Sequence, residues 1–135
     1  MRILGLDIGT VRIGVALSDE MGWSAQPLTT IKHSDDKTDL QEICKIVAEY
    51  NVETIVVGLP KNMDGSIGPM ATKIRDFNAK LTDVCRIPVI EWDERLSSVA
   101  VERVLLEGDV RRNRRKQVVD KMAASYILQG YLDSK

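Results

Sequence analysis

The sequence predicts an α/β fold: one mixed sheet, opened by an antiparallel meander, continued by βαβ units and covered by helices on both faces. Three observations predict it. The first 31 residues hold three runs with strand character, separated by turn residues. After residue 38 the apolar pattern changes from alternation to helical spacing. From there helical stripes alternate with short continuous apolar runs, the mark of parallel strands buried on both faces. At 135 residues, 44% apolar and 29% charged, the chain has the size and balance of one globular domain spanning 1–135.

Ile3-Leu4-Gly5-Leu6-Asp7-Ile8 reads as a buried strand, and Gly9-Thr10 fits a two-residue hairpin turn of the Gly-X type. Ile13, Val15 and Leu17 then alternate with Arg12, Gly14, Ala16 and Ser18 in a half-buried second strand. Residues 26–31 form a third, with Pro27 near its start, where proline is tolerated. Thr38-Asp39-Leu40-Gln41 has the form of a capping box. Leu40, Ile43, Cys44, Val47 and Tyr50 follow at helical spacing. Thr54-Ile55-Val56-Val57-Gly58 is a strand of the doubly buried kind. Pro69 starts a helix whose face carries Ile74, Phe77, Leu81 and Val84, and residues 88–92 form the next strand. Ser97 or Ser98 caps a helix ending near Gly108, and a last helix runs from about Lys116 to Leu132. The expected order is β-β-β-α-β-α-β-α-α.

Composition excludes several classes of function. No apolar stretch approaches the roughly 20 residues of a membrane span, and Met1-Arg2 leads into a strand-like run without a signal-peptide pattern. A cytoplasmic location with no membrane partner is expected. Cys44 and Cys85 lack metal-ligand spacing, and Cys44 falls on a helix stripe, as a reduced, buried thiol does. A single histidine, His33, argues against a His-based zinc site and a Ser-His-Asp triad, leaving only a histidine that acts alone.

The net charge is −1, but its distribution is uneven. Residues 111–116 read Arg-Arg-Asn-Arg-Arg-Lys, while acids cluster at Glu91, Asp93 and Glu94. A basic patch beside an acidic centre suits a metal-dependent enzyme acting on a phosphate polymer. Asp7 stands near the end of the most apolar strand, where a charge is costly unless paired; it is either neutralised by Arg12 across the hairpin or a metal ligand. Asp93 and Glu94 follow the strand of residues 88–92 at its carboxyl end, where ligand sites of open α/β sheets gather, or they are a solvated turn. Asp120 falls on the flank of a stripe made by Val119, Met122, Ala123, Tyr126 and Ile127, or it is an exposed first-turn acid. Asp7 and Asp93 become neighbours if their strands lie side by side. Such an oxygen-rich set suits Mg²⁺ or Mn²⁺, and two ions can activate a water and stabilise a leaving oxygen. Arg12 after the first turn, Lys61 and Asn62 at a strand end, Arg95 beside the acids, and Arg111, Arg112, Arg114 and Arg115 before the last helix are the candidate phosphate contacts.

Taken together these pieces resemble the YqgF-type family of Holliday-junction resolvases, also described as nucleases for the precursor of 16S ribosomal RNA. The matching segments are Leu6-Asp7-Ile8-Gly9-Thr10 with Arg12-Ile13-Gly14-Val15-Ala16, and Gly58-Leu59-Pro60 with Asn62 and Gly65. Asp93-Glu94-Arg95-Leu96-Ser97 and Asp120-Lys121-Met122-Ala123-Ala124 with Ile127-Leu128 complete the set, in family order across nearly the whole chain. The resemblance implies an RNase H-like fold, a divalent-metal site and hydrolysis of phosphodiesters in structured RNA or branched DNA, by a monomer or a homodimer. Asp7 and Asp120 carry over as catalytic positions; within Asp93-Glu94 the primary ligand stays open. Two other readings compete. One is a phosphate-binding module of the actin-like and sugar-kinase type, whose first strand also ends in Asp-x-Gly-Thr. The other is a non-catalytic RNA-binding factor that uses the basic run.

Overall fold

The computed structural model describes residues 2–62, 64–96 and 112–135, except the side chains of Leu96 and of residues 112–120. Strands β1 (Arg2–Ile8), β2 (Arg12–Ser18) and β3 (Ala25–Lys32) form the meander. They are followed by α1 (Asp36–Glu49), β4 (Val52–Leu59), α2 (Pro69–Cys85) and β5 (Val89–Asp93). A 3-10 turn, Glu94–Leu96, leaves β5, and α3 (Arg112–Asp133) ends the chain. The helix expected from Ser97 or Ser98 to Gly108 lies outside the described residues.

The sheet order is β3-β2-β1-β4-β5. β1 is antiparallel to β2 and parallel to β4, and β4 is parallel to β5. Each central strand is apolar on both sides, so both faces need cover. Leu4, Leu6, Ile13, Val15, Ile55, Val57 and Leu59 pack with Leu40 and Ile43 of α1 and Ile74, Phe77 and Leu81 of α2. Ala16 and Val56, of opposite parity, pack against Ala123, Ala124, Ile127 and Leu128 of α3.

Two glycines let α3 lie close to the sheet. A Cβ on Gly5 would sit 2.7 Å from Leu128 Cβ, and one on Gly58 would sit 2.5 Å from Ile127 Cδ1. The buried line of α3 therefore runs through Ala123, Ala124, Ile127, Leu128, Tyr131 and Leu132. The sequence pattern centres it on Met122 and Tyr126 instead, and both are only half-buried. The helix rolls so that its alanines, which need least room, meet the bare backbone of the sheet. It also starts at Arg112 rather than near Lys116, because nothing in residues 112–116 breaks a helix. The basic run thus opens the helix rather than preceding it.

Two further boundaries differ from expectation. The β1–β2 connection spans residues 9–11, closed by the Gly9 N–H donating to the Arg12 carbonyl at 2.9 Å. A Cβ on Gly9 would lie 2.9 Å from that oxygen, so the position needs glycine. Helix α1 is capped by Asp35, which accepts from the Thr38 N–H at 2.8 Å, rather than by Thr38 itself. Asp35→Ala should cost about 1 kcal/mol of stability, measured by urea unfolding; an unchanged midpoint would remove the cap from the account.

Cys44 is half-buried rather than buried, and Cys85 stands beside it as a second free thiol. Burial pushes the Cys85 thiol up to about 12, and the Cys44 thiol adds to the shift. No helix among the described residues is long and apolar enough to cross a membrane.

Candidate active site

Because β1, β4 and β5 are parallel, their carboxyl ends share one edge of the sheet. Asp7, the second-last residue of β1, is 6% exposed. By alternation it shares the α3 face with Gly5. Arg12 makes no ion pair with it among the described residues. Arg12 instead stands opposite Lys32 in the β2–β3 register, which puts two cations side by side at the same edge as the acids.

The strands carrying Asp7 and Asp93 are not side by side. β4 lies between them, so the two acids are two strand spacings apart, about 10 Å. The crossover through α1 lays β4 beside β1, and the crossover through α2 adds β5 beyond it. Asp93 also has another task. It accepts from Arg95 Nη2 at 2.7 Å, from Arg95 Nε at 3.1 Å and from the Arg95 backbone N–H at 3.0 Å. Arg95 Nη1 reaches the Asn62 carbonyl at 3.4 Å, and the guanidinium lies against Gly65, whose φ of 86° requires glycine. Asp93 and Arg95 thus clamp the 60–66 loop to the end of β5.

Glu94 bridges the gap that Asp93 cannot. Its Oε1 lies 2.8 Å from where a Cβ on Gly58 would be. Gly58 is one residue beyond the Leu6–Val57 pair, level with Asp7 on the adjacent strand. A glutamate leaving β5 can fold back across β4 only because β4 has no side chain there. The run Thr54-Ile55-Val56-Val57 announces a strand, but one sequence does not show that the glycine ending it is a slot for a carboxylate.

Asp120 belongs to α3, whose direction is fixed at its other end. Gln129 Oε1 accepts from the Ala25 N–H at 2.9 Å, and Gln129 Nε2 donates to the Trp23 carbonyl at 3.1 Å. Ala25 pairs with Ser18 at the end of β2, beside the start of β1, so α3 runs antiparallel to β1. Ala124 lies over Gly5. One turn back, about 6 Å, the helix backbone carries Asp120 to the level of Asp7, about 6–7 Å further along β1 from Gly5. Its side chain, and those of Arg112, Arg114 and Arg115, lie outside the described residues, as does the whole of Arg111. Among the described residues no three Asp, Glu, His or Cys side chains gather as a metal site.

The 60–66 loop is largely self-bonded. Asn62 donates from Nδ2 to Ser66 Oγ at 2.9 Å, and its N–H meets the Ser66 carbonyl at 3.0 Å. Asp64 accepts from Ser66 Oγ at 2.6 Å, which holds its carboxyl below the ordinary range. Lys61 is half-buried near Asp93. Glu91 is bound on the other face by Arg75 Nε and Asn78 Nδ2, each at 3.2 Å. His33 has a role that its place in the sequence does not announce. Its Nε2 donates to the Gly9 carbonyl at 2.7 Å, and its Nδ1 meets Asp39 Oδ2 at 2.7 Å. With the His33 backbone N–H on the Val11 carbonyl at 2.9 Å, it props the turn that follows Asp7.

The Arg95 guanidinium beside Asp93 holds that carboxyl below the ordinary carboxylate range. A depressed folded value means that the clamp stabilises at neutral pH and is lost as the pH falls through the shifted value. Asp93→Asn should therefore lower Tm at pH 7 and leave it unchanged at strongly acid pH. A gap between native and variant that persists in acid would show that the clamp is not ionic.

Solved structures share the fold. The Thermus thermophilus RuvC in complex with a Holliday junction substrate superposes with a TM-score of 0.64 at 12% identity, over 99% of this chain and 96% of that one. The fowlpox virus Holliday junction resolvase does so at 0.56 and 17% identity, over 100% of both chains. The architecture is thus the RNase H-like one that the resemblance implies. A Bacillus cytotoxicus protein named "Putative pre-16S rRNA nuclease" is 56% identical over 137 residues, covering 100% of both chains, and a Bacillus cereus protein of the same name is 55% identical over the same span. Residues 1–134 match the family model described as RuvX, Holliday junction resolvase, and the chain belongs to that family.

Proposed function

We propose that this nuclease cuts phosphodiesters at a centre made by Asp7, Glu94 and Asp120, with Mg²⁺ or Mn²⁺ held between them. The observation that carries the proposal is the Glu94 carboxylate lying over Gly58, level with the buried Asp7 on the neighbouring strand. The donors are hard oxygens, with no sulfur or imidazole among them, as these cations prefer. Two bound ions would supply an activated water and neutralise the leaving oxygen. The residues have separate tasks. Asp7 and Glu94 fix negative charge at one point of the sheet edge, α3 brings Asp120 level with them, and Asp93 orders the flanking loop through Arg95. Arg12 and Lys32 set cations beside the acids, where a phosphate backbone has to pass.

The substrate that fits best is precursor 16S rRNA, because the relatives at 55–56% identity over the full chain carry that name. Junction DNA is the second reading, favoured by the family description. The purified protein, given both substrates with Mg²⁺ or Mn²⁺ and its cuts mapped, decides. A cut at the mature 5′ end of the RNA supports the first, paired symmetric cuts in the junction support the second, and cleavage of neither overturns both.

The basic run that opens α3 binds substrate in this reading. Neutralising Arg111, Arg112, Arg114 and Arg115 should flatten the salt dependence of binding by up to about one unit of slope for each phosphate left without its cation. The rate at saturating substrate should fall much less. A salt slope equal to the native one would assign the run to the solvated surface.

A further inference from the structure

On the face of the sheet away from α3, a cleft of about 310 Å³ opens between the β1–β2 turn, the start of α1 and the first turns of α2. Ile8 and Gly9, which follow Asp7 directly, form one wall, and Met70, Ile74 and Phe77 form an apolar floor. Two acids line it, yet both are already paired. Asp36 accepts from Lys80 Nζ at 2.7 Å, and Asp39 holds His33 at 2.7 Å. Lys73, exposed at the rim, has no ion-pair partner among the described residues. Lys73 is therefore the cation left to meet an anion at the rim. The wall is rigid, because the His33–Asp39 pair fastens the Gly9 carbonyl. The volume is at the small end of ligand pockets, too small for a protein segment.

We propose that this cleft holds one unpaired nucleotide of the substrate strand, its base against Met70 and Phe77 and its phosphate on Lys73. A strand that passes Asp7 and crosses the turn at Gly9 and Thr10 arrives at the cleft. The bases offered there must be unstacked, as they are at single-stranded ends and at branch points. An apolar floor and one cation hold such a base without reading its sequence, and the half-buried Met70 gives it more surface than Phe77, which is 6% exposed. The inference rests on the nuclease reading but is read by binding, so the two can fail separately.

The test walks an abasic site along a labelled single-stranded or branched oligonucleotide, with Kd measured by fluorescence anisotropy in Ca²⁺. One position should raise Kd by about tenfold, the worth of one stacked base, and its neighbours should change it little. In Ser34→Trp, which fills the cleft from its exposed rim, the intact oligonucleotide should already bind at that weakened Kd, and the abasic site should add less than about twofold. Lys73→Gln, a surface change that leaves the floor alone, should weaken binding and lower the salt slope by about one. A flat abasic scan overturns the subsite, as does an abasic effect that survives whole in Ser34→Trp. An unchanged salt slope in Lys73→Gln does the same, and decides the matter if the tryptophan variant does not fold. A protein that cleaves normally yet gives a flat scan loses this subsite and keeps its nuclease assignment.

Discussion

Asp7→Asn should abolish cleavage while leaving the fold intact. The side chain is buried at the end of the central strand, level with the Glu94 carboxylate that lies over Gly58 on the neighbouring strand. The amide keeps the shape and removes the charge that would hold a cation. The variant should accordingly keep the native circular-dichroism spectrum in metal-free buffer. Mg²⁺ or Mn²⁺, which should raise the native Tm by binding only the folded state, should raise that of the variant less. Loss of a ligand that holds charge-stabilising ions is worth several kcal/mol at the transition state, so cleavage should drop by about a thousandfold or more. Wild-type cleavage by the variant would take Asp7 out of the mechanism. A metal-induced rise in Tm as large in the variant as in the native chain would show that Asp7 does not hold the cation.

Gly58→Ala should be nearly as damaging, although it adds a single uncharged methyl group. That methyl would meet Ile127 Cδ1 at 2.5 Å and Glu94 Oε1 at 2.8 Å, both inside van der Waals contact. Two losses follow and can be separated. Crowding of α3 should cost about 1–3 kcal/mol of stability, and Ile127→Val in the same chain should return part of it by withdrawing the obstructing carbon. Displacement of the Glu94 carboxylate should cut the cleavage rate by about a hundredfold, the scale on which a misplaced catalytic group acts, and shortening Ile127 should not restore it. If the double variant regains both stability and rate, Glu94 is a packing residue and the proposed centre loses its second acid.

The elements legible in the sequence are those whose periodicity is their cause. Alternation at Ile13, Val15 and Leu17 marks a strand whose large side chains face the α1–α2 side, but it hides that β2 is buried on both faces, because the other face carries small residues such as Gly14 and Ala16 under α3. The continuous run Ile55-Val56-Val57 marks β4 because both sides are covered. What periodicity cannot carry is the order of strands in the sheet. The acids at 7 and 93 are strand-end residues in either arrangement, and only the insertion of β4 between their strands makes Glu94 the one able to reach. The roll of α3 is hidden for a related reason: it answers to glycines on other strands, Gly5 and Gly58, rather than to the stripe of its own residues. The clamp by Asp93 and Arg95 and the prop of His33 on Gly9 join residues whose pairing depends on folded loops, and nothing in their spacing announces it.

His33 is the one imidazole in the chain, and it sits between the turn that follows Asp7 and the wall of the cleft beside Lys73. Its ring carbons therefore give an NMR spectrum with a single imidazole signal pair, unlabelled and unmutated, from the turn shared by both faces of the sheet edge. A cation settling on the α3 side and a nucleotide entering from the α2 side would each reach that ring through the same Gly9 carbonyl, so one resonance can time both events and show which comes first.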